Sequence, residues 1–308
     1  MTGVEVRDLS KNYAIRNGFR ARTLRAVDRV SFDLVPGRTT ALVGESGSGK
    51  STIAKILTRM EKPTSGSVSV SHDDGVPVHR SHYRRHVQMV FQDPFASLNP
   101  FHTIEHHIAR PLLLHGRTRT RSETHERVLD MLRRVNLEPA ANLAARRPHE
   151  LSGGQRQRVA IARALAPGAQ VLIADEPVSM LDVSIRLGVL QLLARLQRED
   201  NLAVLYITHD LATARHFSDE ILVLFRGRVV ERGPADAVIL DPRHDYTRML
   251  ALAAPDPERP GKIVSGETEV DRTTVDRTEI DNSRCFNHHT GQWDDLTVQT
   301  RGPISACG

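Results

Sequence analysis

The stretch GESGSGKST, Gly44 to Thr52, sets three glycines and one lysine among small polar residues, directly after the apolar run Thr40-Ala41-Leu42-Val43. It fits G-x-x-x-x-G-K-[ST] across Gly44, Glu45, Ser46, Gly47, Ser48, Gly49, Lys50 and Ser51. Glycines let successive backbone N–H groups curl around phosphate oxygens, and a helix starting just beyond aims its positive end at the same place. Lys50 would reach the β and γ phosphates and Ser51 would bind magnesium. A plain glycine-rich turn would have no need of the lysine.

A second constellation is Val171-Leu172-Ile173-Ala174-Asp175-Glu176-Pro177. Two acids ending an apolar strand are electrostatically unfavourable unless a cation or a reaction is near. Asp175 would hold magnesium through water, and Glu176 would act as general base toward the attacking water. The competing reading is an N-cap carboxylate at a strand-to-helix turn. A third piece, Leu151-Ser152-Gly153-Gly154-Gln155, offers another phosphate-binding backbone at a helix start. One chain has no use for two such loops on one γ phosphate. Two chains set head to tail do, each closing the other's site.

In their order, the glycine loop, LSGGQ, Asp175-Glu176, Gln92 in VFQDP and His209 in YITHD resemble the ATP-binding subunits of ABC transporters. The resemblance spans roughly residues 1 to 250. It implies an α/β fold: a P-loop NTPase (RecA-like) core with an N-terminal antiparallel β subdomain and an inserted α-helical subdomain. It also implies roles. Tyr13 would stack on adenine, with a surface tyrosine as the competing reading. Gln92 would touch magnesium and the attacking water, Asp182 would signal across a dimer, and His209 would contact the γ phosphate. Thr52 falls in the cofactor-binding set, as do Ser152, Gly153, Gly154 and Gln155 for the partner's nucleotide. Met180 replaces the family's usual alanine and reads as a packing variation. FQDPFASLNP and HDYTRMLALAAPDP narrow the resemblance to the oligopeptide, dipeptide and nickel importers. That branch implies a second ATPase subunit, two membrane permeases and an extracytoplasmic solute-binding protein. The chain is then expected on the cytoplasmic face of the membrane, binding ATP and Mg2+.

The elements that must position these residues are partly visible. Val4-Glu5-Val6 and Val30 to Leu34 alternate as strands, as does Gly66 to Val70. Thr52 to Met60 and Gln155 to Ala166 read as helices, and Ile185 to Glu199 is amphipathic. Thr40 to Val43, Val171 to Ala174 and Ala203 to Thr208 read as strands buried on both faces. Residues 220–231 read as a hairpin around Gly227. A helical insertion is expected over about residues 93–160, inside a nucleotide-binding domain of residues 1–254. Residues 255–308 are polar and read as a flexible extension.

Bulk properties narrow the classes. The 308 residues carry 39% hydrophobic and 26% charged side chains and a formal charge of +5. That composition suffices for a full core. The scattered basic residues fit nucleic acid, an anionic membrane or neither, and no nucleic-acid partner is expected. MTGVEVRDLS has no basic stretch followed by an apolar one, so no signal peptide is expected. No apolar run approaches the roughly 18 residues of a membrane span. Cys285 and Cys307 are too few for the four thiolates of an iron–sulfur cluster, although relatives often end in several cysteines. His288 and His289 could join them in a metal site; a degenerate tail is the preferred reading. Two other functions stay open: a soluble ATPase of this family acting on nucleic acid or ribosomes, and a regulatory subunit outside transport.

Overall fold

The computed structural model describes residues 2–17, 20–72, 75–253, 284–287 and 292–295. The chain divides into Met1–Glu258 and Arg259–Gly308. In order, the first unit contains β1 (Thr2–Asn17), β2 (Arg20–Leu34), β3 (Thr39–Val43), α1 (Lys50–Leu57), β4 (Ser65–His72), α2 (Tyr83–His86) and β5 (Val87–Val90). A helical run follows: α3 (Pro94–Ser97), α4 (Ile104–Leu114), α5 (Arg121–Arg134), α6 (Ala140–Ala145) and α7 (Gly153–Leu165). The chain then returns through β6 (Val171–Asp175), α8 (Val183–Glu199), β7 (Ala203–Thr208), α9 (Leu211–Phe217), β8 (Glu220–Phe225), β9 (Arg228–Pro234), α10 (Ala235–Leu240) and α11 (Asp245–Ala253). In the second unit, β10 (Arg284–Asn287) and β11 (Gln292–Asp295) pair antiparallel. Of the tail residues singled out above, Cys285 is described only as backbone of β10. His288, His289 and Cys307 lie outside the described residues, as does most of the expected extension.

The central sheet runs β5-β6-β7-β3-β8-β9. The first five strands are parallel and β9 returns antiparallel through the turn at Gly227. Each buried strand feeds two cores by its period of two. Ala41, Val43, Leu172, Ala174, Val204 and Tyr206 face one core, with α4 to α8. Leu42, Val171, Ile173, Leu205 and Ile207 face the other, with α1 and the antiparallel sheet β2-β1-β4. This two-sided burial is why these strands read as continuous apolar runs rather than alternating ones.

Two expectations shift slightly. Helix α1 begins at Lys50, two residues before the expected Thr52, because Gly49 adopts a left-handed N-cap conformation that turns the chain directly into the helix. Met180 is 55% exposed, so its side chain fills no gap in this chain. Strand β5 was not foreseen: four residues between the basic turn at Arg84–His86 and Phe91 are too short for a period to show.

Candidate active site

The phosphate-loop candidate leaves β3 at the middle of the sheet and enters α1. Its glycines answer to space as well as curvature. A β-carbon at Gly44 would lie 2.2 Å from the Leu224 carbonyl oxygen, and one at Gly49 would lie 2.3 Å from the Ala26 carbonyl oxygen. Gly49 also has φ +112°, which side-chain-bearing residues rarely adopt. The loop is therefore pressed between β8 and β2. The Gly227 N–H donates to the Ser48 carbonyl at 2.9 Å, and the Asp28 N–H donates to the Gly227 carbonyl at 2.8 Å. The hairpin turn thus ties the loop to β2.

Lys50 is buried, 5% exposed. Its ammonium donates to the carbonyls of Gly44 (2.6 Å) and Glu45 (2.9 Å). Burial lowers its pKa, against the raising pull of Glu176, Asp175 and Glu45. The Ser48 hydroxyl is also buried and has no protein partner. A buried cation resting only on its own loop's backbone carbonyls, at the edge of a cleft, is what an anion with several oxygens would satisfy.

Asp175 ends β6 and is 6% exposed. Burial raises its pKa; the Ser51 hydroxyl, hydrogen-bonded to it, opposes that shift, the Glu176 charge adds to it, and Lys50 opposes it. Glu176 follows with φ +46°, a left-handed backbone unusual for a residue of its size. Its N–H is anchored to the Ile207 carbonyl at 2.9 Å. Its carboxylate is shared: Gln92 Nε2 donates to Oε2 at 2.8 Å, and His209 Nδ1 lies 3.3 Å from Oε1. Three strands, β5, β6 and β7, thus deliver Gln92, Glu176 and His209 from their carboxyl ends to one point, where open α/β sheets place their ligands.

A cleft of about 730 Å³ joins these groups. Tyr13 and Leu24, cross-strand neighbours on β1 and β2, wall one end; Lys50, Ser51 and Thr52 line the middle; Gln92, Glu176 and His209 stand at the other end. Ala26, Glu45, Ser46, Gly47 and Gly49 complete the lining. Gly44 and Ser48 support the loop from behind it. The structure does not bring Ser152, Gly153, Gly154, Gln155 or Asp182 into this cleft. Ser152 caps α7, its hydroxyl accepting from the Gln155 N–H while the Gln155 side chain accepts from the Ser152 N–H. Asp182 is the N-cap residue of α8.

One participant escaped the sequence reading. The Tyr246 hydroxyl, on α11, accepts a 2.9 Å hydrogen bond from the Glu45 N–H inside the loop. Its segment, HDYTRML, had been singled out only as a mark of resemblance, and 201 residues separate the two partners.

The hydroxyl, carboxylate and amide oxygens of Ser51, Asp175 and Gln92 are the hard donors that a magnesium ion takes. Residues 27–179 match the family described as ABC transporter. The chain is 45% identical over 275 residues to the di/tripeptide transport ATP-binding protein DppF of Pseudomonas aeruginosa, covering 86% of this chain and 84% of that one. It is 43% identical over 269 residues to the oligopeptide transport ATP-binding protein AppF of Bacillus subtilis, covering 85% and 81%. Among solved structures, it resembles a dimeric, post-hydrolysis state of the ATP-binding cassette MJ0796 bound to ADP and Pi. The TM-score is 0.64 at 32% identity, over 75% of this chain and 98% of that one.

Proposed function

Because this chain belongs to the ATP-binding subunits of the ABC transporter family, an ATPase family, we propose that it hydrolyses ATP to energise import of peptides through a membrane permease. The observation that carries the catalytic part is the meeting of Gln92, Glu176 and His209 at one end of the cleft that Lys50 and Ser51 line. Tyr13 stacks on adenine, and the loop from Gly44 to Thr52 wraps the phosphates. Lys50 exchanges its two carbonyl partners for phosphate oxygens, a short move within a site already desolvated. Ser51, Gln92 and Asp175 would hold magnesium, which when bound would supply charge neutralisation to the phosphates.

Glu176 takes the proton of the attacking water as general base. Gln92 and His209 each contact one of its oxygens, which orients the carboxylate and leaves lone pairs on both oxygens to accept from the water. Gln92 stands at the entrance to the helical run. Asp93 caps α3 by accepting from the Phe95 and Ala96 N–H groups at 2.7 and 3.1 Å. Arg156 of α7 covers the Phe95 ring at 4.1 Å, and Arg163 donates to the Ser97 carbonyl. A displacement of the helical run is thereby transmitted to Gln92.

The second phosphate loop, Ser152 to Gln155, then serves another ATPase subunit, and that subunit's equivalent loop serves this cleft. Asp182 works across the same contact. Exposed apolar side chains beside it, Val183 (79%) and Leu187 (53%), favour a covered surface there. No described helix is long and apolar enough to cross a membrane. In the proposed importer, attachment runs through two permease subunits at the cytoplasmic face, fed by an extracytoplasmic solute-binding protein.

The test is co-purification of a tagged Glu176→Gln chain from detergent-solubilised membranes with ATP and magnesium. Two polytopic membrane proteins, with or without a different ATPase, are expected. Recovery of only ribosomes, nucleic acid or soluble proteins would overturn the importer reading.

A further inference from the structure

The peptide unit between Gly44 and Glu45 is gripped from both sides. Its carbonyl, on Gly44, receives the Lys50 ammonium at 2.6 Å, and its N–H, on Glu45, donates to the Tyr246 hydroxyl at 2.9 Å. The next carbonyl, on Glu45, accepts from Lys50 at 2.9 Å and from the Ser48 N–H at 3.2 Å. The segment on which the cation rests is therefore oriented by a side chain from the far end of the domain.

Tyr246 is itself held. It is 6% exposed, and its ring packs on Phe225 at the end of β8, with centroids 4.2 Å apart. Glu231 of β9 accepts from the Arg243 and His244 N–H groups, at 2.8 and 3.0 Å, just before α11. The Tyr246 N–H in turn donates to His244 Nδ1 at 3.1 Å. The phenol is a rigid strut from the β8–β9 hairpin and α11 onto the phosphate loop.

We propose that Tyr246 is a positioning residue for ATP binding: its hydroxyl fixes the Gly44–Glu45 peptide so that Lys50 is presented to the phosphates, which couples α11 to nucleotide affinity. The proposal rests on the reading of this loop as the phosphate site. It does not require Tyr246 to touch the nucleotide, since the Glu45 N–H it engages is thereby withdrawn from phosphate binding. Removing the oxygen leaves a main-chain donor unpaired and lets that peptide rotate, which for one hydrogen bond corresponds to a loss of affinity of about three- to tenfold.

The experiment compares four full-length chains: wild type, Tyr246→Phe, Phe225→Leu and Lys50→Ala. Each is titrated with a fluorescent ATP analogue plus magnesium, and each is melted with and without ATP. Tyr246→Phe keeps the ring contact and loses the oxygen; Phe225→Leu weakens the ring contact and keeps the oxygen. Both are expected to melt a few degrees below wild type when empty. Tyr246→Phe is expected to bind ATP about three- to tenfold more weakly and to gain correspondingly less stability from ATP, and Phe225→Leu, which keeps the oxygen, to lose less of either. Wild-type affinity in Tyr246→Phe would overturn the proposal. So would equal losses of affinity in Tyr246→Phe and Phe225→Leu, which would mark Tyr246 as packing alone. A wild type that takes up no ATP, indistinguishable from Lys50→Ala, would instead overturn the site itself and the proposal with it.

Discussion

Asp175 and Lys50 sit a few residues from one another's partners, and burial acts on them in opposite senses. Asp175 binds its proton more tightly in the folded chain than in the unfolded one, through burial first, with the Glu176 charge adding to that effect. Its contribution to stability is therefore most favourable below the carboxylate range and declines as pH rises through it. The ionised form is the one that burial disfavours. Asp175→Asn keeps the shape and an acceptor for Ser51. It is expected to raise the melting temperature of the empty chain by about 2–4 °C while abolishing the stabilisation given by ATP with magnesium. Differential scanning calorimetry with and without ligand reads both; a lower melting temperature in the empty variant would count against a buried, uncompensated charge.

Helix α11 shows how an element far from the chemistry acquires a role in it. The Glu231 carboxyl is held below its ordinary range: burial pushes it up, but the Arg243 N–H, the Thr247 side chain and the N–H and charge of His244 together outweigh that. The folded state thus favours the ionised form. Its contribution is complete above the unfolded carboxylate pKa and disappears as pH falls through the lowered folded one. Glu231→Gln is expected to weaken the seat of α11 by about 1 kcal/mol at neutral pH. The check is hydrogen exchange at Leu250 N–H, which should quicken relative to wild type, and the difference should vanish in acid. Of this region the sequence reading anticipated the hairpin around Gly227, because alternation and a turn residue are local signals. It gave no sign of the Tyr246–Glu45 bond, since a phenol in an amphipathic helix has no periodicity that names its partner. The same limit explains the site as a whole. Lys50, Ser51 and Glu176 are legible in local motifs, and Gln92 and His209 only through the family resemblance. The sharing of one carboxylate between Gln92 and His209 depends on three strands lying side by side, an order that no motif encodes.

Within the domain, the Ser152–Gln155 loop lies outside the cleft, and the proposed reading gives each of them part of one reaction. Lys50→Ala and Gly153→Asp should each abolish hydrolysis, one by emptying the cleft and the other by spoiling the loop offered to a partner. If two copies of this chain pair, mixing the two inactive proteins restores part of the activity, because one of the two composite sites in a mixed pair is intact. A steady-state phosphate-release assay on the mixture measures it. Activity that returns only on adding a different ATPase subunit would assign the pairing to unlike chains. The strut from Tyr246 carries a last consequence, one of timing. A chain made from its amino end delivers the phosphate loop 201 residues before the phenol that steadies it. A nascent polypeptide released before residue 246 would contain every motif of the site and still hold ATP loosely, so nucleotide can stabilise this protein fully only once synthesis of the domain is nearly complete.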